Sequence, residues 1–341
     1  MYYFTSDYTE GCTPKILEAL AATNFEQTGG YGIDPYCETA ALLIKKECGR
    51  SDIDVHFMTG GTQTNLTIIC AALRPFHGVY GTVQSHINTH EAGAIERTGH
   101  KVIDLPTSDG KITAAMIRQQ HELYLGDPSR EHLVQPKMVY ISQPTEIGSL
   151  YHKEELEALY AVCRHYGLYL FIDGARLGYG LTAPDNDLTL ADITNNCDVF
   201  CIGGTKCGAL CGEAVVFTHG NMPKQFVTMV KRRGAMIAKG RLNALQFDAL
   251  FTDGLYEKIC APAVKLAIKL RDGLKAKGYR FALESPTNQQ FIIVENSRLP
   301  ELQSKVVYSF IEKYDAEHTV IRLATSWATT EEQVDELLSI L

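Results

Sequence analysis

The sequence predicts an α/β fold, a mostly parallel seven-stranded sheet between helices, followed by a smaller C-terminal α+β domain. Three observations carry that prediction. Short runs of β-branched and aromatic residues alternate with helical periodicity over the first two thirds of the chain, and that alternation calls for crossover helices on both faces of a parallel sheet. After about residue 245 the alternation gives way to one long helical stretch and a cluster of strands. With 341 residues and 45% hydrophobic content the chain can bury a large core, so two domains are expected, 1–245 with the N-terminal arm and 246–341.

In chain order the strand-like runs are Asp54–Met58, Gly78–Val83, Lys101–Leu105, Lys137–Ile141, Leu168–Ile172, Val199–Ile202 and Ala214–Phe217. They are short and bounded by polar or glycine-containing turns, as buried strands are. Between two of them, Lys153–Cys163 sets Leu156, Leu159, Val162 and Cys163 on one helix face. The second domain reads as a helix over Leu255–Lys277 and strands at Tyr279–Leu283 and Gln290–Val294. A helix near Pro300–Lys313, a strand at Val320–Leu323 and a closing helix from Thr329 complete it. No internal repeat or low-complexity linker separates the two, so close packing is expected.

Composition narrows the function classes. A net charge of -8 with scattered basic residues argues against nucleic acid or an anionic membrane as the main partner. No apolar run has membrane-spanning length, and the N-terminus lacks the pattern of a signal peptide. The ten cysteines fall singly in apolar contexts, such as Ile69-Cys70 and Val162-Cys163, which suits small buried hydrophobes in a reducing compartment. A soluble cytoplasmic protein is the expectation. The pairs Cys197 with Cys201 and Cys207 with Cys211 have the wrong spacing for zinc, and Glu91 directly follows His90 where a zinc helix would place it after His86. No metal site is expected.

The chemistry is read at the strand ends. The run through Phe171-Ile-Asp173-Gly-Ala-Arg176 puts a carboxylate at the carboxyl edge of a buried strand, and the next run leads through Gly-Gly-Thr205 to a lone Lys206. Ligands of open α/β sheets bind at that edge. A lysine and a carboxylate at neighbouring strand ends suit pyridoxal phosphate, which forms an imine with the lysine and needs its ring nitrogen kept protonated. Met58-Thr-Gly-Gly61-Thr62-Gln63-Thr-Asn65 exposes backbone N–H groups at a helix N-terminus, a suitable hold for a phosphate. It is neither a P-loop nor a dinucleotide fingerprint. Ser85-His86 follows another strand, where an imidazole can lie flat on an aromatic ring. Each signal alone also fits a structural role; their conjunction points to the cofactor.

In this order the motifs resemble those of the threonine aldolases within the β-eliminating lyase group, fold type I pyridoxal phosphate enzymes of aspartate aminotransferase-like architecture. The resemblance rests on Ser6-Asp7, Tyr31-Gly-Ile-Asp-Pro35, Gly61-Thr-Gln-Thr-Asn65, His86 with Glu91 and Gly93, Asp173-Gly-Ala-Arg176, Thr205-Lys206 and Arg322. It implies that Lys206 holds the cofactor, Asp173 faces the ring nitrogen and His86 stacks on the ring. It further implies that Gly61, Thr62 and Gln63 bind the phosphate, and that Ser6, Arg176 and Arg322 hold the substrate carboxylate by charge-assisted bonds. Arg241 occupies the place of a family arginine that reaches the phosphate from a neighbouring subunit, and Tyr31 lies in a segment used across the dimer. A homodimer or homotetramer with the active site at the interface is therefore implied.

The chain departs from the family where a histidine is usual near the substrate's β-hydroxyl; here it reads Pro144-Thr-Glu146-Ile-Gly148. Either Glu146 or His90 could supply the base. Ile237-Ala-Lys-Gly-Arg241 also differs from the usual glycine-rich segment. The expected reaction is cleavage of an L-β-hydroxy-α-amino acid, L-threonine or L-allo-threonine first, to glycine and an aldehyde. β-Elimination, racemisation and a phenylserine-type cleavage use the same core residues and remain open.

Overall fold

The computed structural model describes all 341 residues. Its central sheet contains β1 (Asp54–Met58), β2 (His77–Thr82), β3 (Lys101–Leu105), β4 (Gln135–Ser142), β5 (Tyr169–Asp173), β6 (Val199–Gly203) and β7 (Glu213–Phe217). The strands lie in the order β1-β7-β6-β5-β4-β2-β3. The pairs β2–β3, β2–β4, β4–β5 and β5–β6 are parallel, whereas β7 is antiparallel to both β6 and β1. Two reversals cancel, so β1 ends at the same edge as the parallel strands. The sequence expectation of a mostly parallel seven-stranded sheet is met.

Strand alternation divides the interior between the two faces. Leu170 and Ile172 of β5 with Phe200 and Ile202 of β6 enter one core, while Phe171 and Cys201 enter the other. Side chains of this size each contribute about 1.5–3 kcal/mol when fully buried. The crossover helices supply the opposing apolar faces. In Lys153–Tyr166, Leu156, Leu159, Val162 and Cys163 are buried, the Glu155 carboxylate accepts the His152 N–H at 2.8 Å, and Gly167 ends the helix at φ 65.

The C-terminal sheet is antiparallel, formed by β8 (Arg280–Leu283), β9 (Gln289–Glu295), β10 (Ser309–Lys313) and β11 (His318–Ala324) in the order β10-β11-β9-β8. Here one expectation fails. The stretch read as a helix near Pro300–Lys313 is helical only over Leu299–Gln303, and Val306–Val307 and Ser309–Lys313 are strands. The β-branched and aromatic residues of Val306-Val-Tyr-Ser-Phe-Ile fit a pleated edge better than a helix.

Two features describe how the arm and the two cores are joined. Tyr2–Tyr3 pairs in parallel with Val306–Val307, and Phe4 is buried among Ile292, Leu323 and Val334 of the C-terminal core, so the first residues of the arm lie on that core. The 245/246 division falls within the helix Arg241–Phe251, whose Ala244, Phe247 and Leu250 belong to the large core. The passage between cores occurs inside the helix Leu255–Ala276, where Cys260 and Val264 join the large core and Leu270 and Leu274 the small one. No helix is long and apolar enough to cross a membrane.

Candidate active site

Five strands deliver their carboxyl ends to one cleft of about 360 Å³. Met58 of β1 leads into Thr59-Gly60-Gly61, β2 into Ser85-His86, β4 into Ser142 and Glu146, β5 into Asp173 and Arg176, and β6 into Thr205-Lys206. The last two loops cross with almost no clearance. A Cβ on Gly174 would lie 2.0 Å from the Cys201 carbonyl oxygen, and one on Gly203 would lie 2.4 Å from that of Ala175. Only glycine allows Asp173 and Lys206 to face one cleft from adjacent strands.

Asp173 is buried and well supplied with donors. Its Oδ2 accepts from the Tyr140 hydroxyl at 2.6 Å and Asn65 Nδ2 at 2.9 Å, and its Oδ1 accepts from the Ala175 N–H at 2.8 Å. Burial alone would raise its pKa; the facing His86 charge, these hydrogen bonds and Lys206 prevail and hold it below the usual carboxylate range. Asn65 also donates to Glu91 Oε1 at 2.8 Å, and the same oxygen lies 2.8 Å from His86 Nδ1. As an acceptor it sets the proton on Nδ1. Burial works to lower the His86 pKa, but Glu91 and Asp173 outweigh it and the value is raised. Ala92 holds φ 50 beside Glu91, the kind of strain found near functional loops.

Glu146 stands across the cleft. Its Oε1 accepts from the His86 backbone N–H at 2.8 Å and the Ser142 hydroxyl at 2.6 Å. Burial pushes its pKa up despite those bonds. Lys206 is affected in the opposite sense: burial and then the Arg176 charge lower its pKa, against the attraction of Asp7, Asp173 and Glu213. Thr205 Oγ1 accepts the Gly212 N–H at 3.1 Å, which ties down the turn that carries the lysine.

The two arginines that the resemblance sets on the substrate carboxylate differ. Arg176 makes a fork with buried Asp7, Nε to Oδ2 at 2.7 Å and Nη2 to Oδ1 at 3.0 Å, and Asn288 donates to the same Oδ2 at 2.9 Å. Arg322 on β11 donates from Nη1 to Gln289 at 3.0 Å and from Nη2 to the Thr5 carbonyl at 2.9 Å, while its buried Nε has no partner. Burial and the facing Arg176 charge bring its pKa down to about 10.

The lining therefore unites Lys206, Asp173, His86, Glu146, Gly61, Thr62, Arg176 and Thr205. Gln63 follows on the first turn of the helix Gly61–Ala72 but does not line the cleft, and Ser6 is buried beside Asp7. His90 is exposed, its ring edge-on to His86 at 5.7 Å between centroids. Tyr31 and Arg241 are not brought to the cleft of their own chain; they line two separate cavities of about 520 and 550 Å³. Tyr31 holds φ 60 with Lys231 over its ring at 4.4 Å, and Arg241 Nη1 is buried without a partner. Sequence reasoning assigned no role to Asp7, Asn65, Glu91, Tyr140, Ser142 or Glu213. Asn65, Glu91 and Asp7 were visible within the quoted motifs, whereas Tyr140 read as an ordinary strand residue and Glu213 lay just before the run Ala214–Phe217. No group of three or more His, Cys, Asp or Glu side chains is arranged to hold a metal.

A fold with a seven-stranded sheet of this order and a lysine–carboxylate pair at its carboxyl edge defines a class, and comparison with known proteins agrees. The chain belongs to the beta-eliminating lyase family, whose model matches residues 4–334, and is a lyase of that pyridoxal phosphate-dependent class. It is similar to the threonine aldolase of Leishmania major, with 44% identity, a TM-score of 0.96 and coverage of 100% of this chain and 98% of that one. It is 31% identical to the low specificity L-threonine aldolase of Pseudomonas sp. strain NCIMB 10558, over 98% of this chain and 95% of that one. Thermus thermophilus aspartate aminotransferase shares the fold at 15% identity, with a TM-score of 0.74 over 100% of this chain and 90% of that one.

Proposed function

We propose that the protein cleaves the Cα–Cβ bond of an L-β-hydroxy-α-amino acid, L-threonine or L-allo-threonine first, giving glycine and an aldehyde, with pyridoxal 5'-phosphate as cofactor. The observation that carries this reading is one cleft containing Lys206, a triply hydrogen-bonded Asp173, and Glu146 with Oε1 engaged by two donors. The residues fit the cofactor. The free N–H groups of Gly61, Thr62 and Gln63 and the unpartnered buried Thr59 Oγ1 suit its phosphate. Asp173 suits the protonated ring nitrogen, His86 the ring face, Thr205 the phosphate side of the turn, and Lys206 the covalent link. Bound there, pyridoxal phosphate supplies an electron sink for the charge left at Cα.

The chain's own groups do the rest. Arg322 offers an unpartnered Nε to the substrate carboxylate, with Arg176 and Ser6 alongside. Fixing that carboxylate decides which bond at Cα is aligned for cleavage. Glu146 takes the β-hydroxyl proton; burial lifts its pKa toward the range in which a carboxylate works as a base near neutrality. His90, exposed and with a pKa lowered by burial and by His86, is the second candidate for that proton. Asp173 stays ionised throughout. Lys206, with its lowered pKa, can hold or give a proton at Nζ.

The reading includes a second copy of the chain. Phe25 is 95% exposed and Ile33 80%, near Tyr31 and the cavity that holds Arg241. A homodimer or homotetramer that covers this face would bring Tyr31 and Arg241 to a neighbour's cleft. Ten free cysteines, most of them buried, suit a cytoplasmic setting.

The deciding experiment is the product set from purified protein, pyridoxal phosphate and L-threonine. Equimolar acetaldehyde and glycine are expected. Oxobutyrate and ammonia would replace the aldol reading with elimination.

A further inference from the structure

One acid in the cleft has no part in the chemistry above. Glu213 is the first residue of β7, and the antiparallel register places it opposite Met58 of β1 on one side and Gly203 of β6 on the other. Met58 is the last residue before the glycine loop, and Gly203 is the last of its strand before the Lys206 turn. Glu213 thus sits between the glycine loop and the Lys206 turn. Its side chain is 4% exposed and lines the cleft, with Oε1 3.8 Å from where a Cβ on Gly61 would stand. The position is fixed, because the N–H groups of Gly204 and Thr205 donate to the Gly212 carbonyl at 2.9 and 3.3 Å.

We propose that Glu213 is a protonated acid that donates a hydrogen bond to the cofactor phosphate, closing the cradle opposite the N-terminus of the helix Gly61–Ala72. The inference rests on the pyridoxal phosphate reading above. Asp173 and Glu146 each accept hydrogen bonds that stabilise their charge, whereas what acts on Glu213 is burial, then the repulsion of Asp173, the attraction of Lys206 and the repulsion of Cys207. Together these push its pKa well above the carboxylate range. A buried neutral carboxyl has one O–H, which needs an acceptor. A phosphate at the adjacent helix terminus is such an acceptor, and bonds to an anion are the strong ones.

The groups that face Glu213 from each packed element are Asp173 from β5, Cys201 from β6, and Lys206, Cys207 and Cys211 from the turn before β7. The loop Thr59–Thr62 brings no titratable group, and the helix Arg241–Phe251 presents Asn243 next to Gly212. Raising the pH removes the Glu213 proton and sets a carboxylate beside a phosphate that carries about -1.5 to -2 charges. Phosphate affinity must then fall as pH rises, and the fall must depend on Glu213.

The test uses the full chain freed of cofactor and pyridoxine 5'-phosphate as the probe, which has no aldehyde and so reports the cradle without the Lys206 link. Affinity is measured by calorimetry from pH 6.5 to 9.5 for the wild type, Glu213→Gln and Glu213→Ala. Wild-type affinity is expected to fall by about tenfold more over that range than that of Glu213→Gln, whose amide keeps a donor and cannot ionise. Glu213→Ala is expected to bind roughly 10- to 100-fold more weakly than wild type at pH 7. Parallel pH profiles for the wild type and Glu213→Gln, or unweakened binding by Glu213→Ala, would overturn the role of Glu213 while leaving the cofactor reading intact. Absence of wild-type binding at every pH would remove the phosphate site itself, and the inference with it. The wild-type profile needs no variant to fold, and thermal melts of the variants separate lost binding from lost structure.

Discussion

The floor of the cleft and the small-domain wall that carries Arg322, outside the cleft's lining, are built on opposite plans. On the floor, Asp173 accepts three hydrogen bonds, Asn65 bridges it to Glu91, and Arg176 is neutralised by the Asp7 fork. On the wall, Arg322 keeps a buried Nε without a partner, and its pKa falls to about 10 because burial and Arg176 oppose its charge. A satisfied network is rigid and specific, and removing any member strands another. An arginine left partly unpaired gains most when a carboxylate arrives. The fixed part of the site is a satisfied network, and the wall keeps an arginine with a donor to spare.

The widest expected effect lies between the two regions, at Glu146. Glu146→Gln should lower kcat by about 10²- to 10⁴-fold, the usual range for a general base. The sign of its pH dependence follows from the raised pKa: a base works deprotonated, so wild-type activity should rise with pH through a midpoint above the ordinary carboxylate value, and the variant should lose that limb. A pH–rate profile that keeps the limb in Glu146→Gln would move the base to His90.

Next is Asp7→Asn, which makes the floor arginine resemble the wall arginine. Stranding the buried Arg176 charge should cost about 3–5 kcal/mol, read as a lower urea midpoint at pH 7. Burial would raise the Asp7 pKa, but Arg176 and the hydrogen bonds hold it below its ordinary value. The stabilisation is therefore present above the unfolded pKa of about 3.9 and is lost as pH falls through the lower folded value. The gap between wild type and variant should close in acid.

A smaller effect is expected at Arg322. Arg322→Gln should raise KM for L-threonine by roughly 10- to 100-fold, the worth of a bond to a charged group, with a lesser change in kcat. An equal fall in kcat with KM unchanged would mean that the wall acts in the transition state instead. Least affected should be His90→Asn, which loses one edge-on ring contact of about 0.5–1.5 kcal/mol and changes activity only severalfold.

The sheet was legible because buried parallel strands advertise themselves as short apolar runs, and all seven runs became strands. Pro300–Lys313 misled because a five-residue helix and two strands share one stretch in which polar and apolar residues recur at mixed spacing. At the site, the strand-end motifs pointed to Lys206, Asp173 and His86, since a residue directly after a buried strand has few places to go, whereas Glu146 was singled out by the departure from the family pattern. Tyr140 was hidden inside a strand and Glu213 stood at the start of one, and in neither place does the local pattern distinguish a hydroxyl or acid facing a cleft from one facing a helix.

Local sequence thus determined the strands, the glycines that let two loops cross and the chemical kinds of group at the carboxyl edge, because these depend on short-range periodicity and backbone freedom. Tertiary structure alone decided that Asp7 neutralises Arg176 across 169 residues, that Arg322 stays partly unpaired, and that Glu213 stands between the glycine loop and Lys206. Those are properties of pairing and burial between distant segments. They set charge states, which no single stretch of sequence contains.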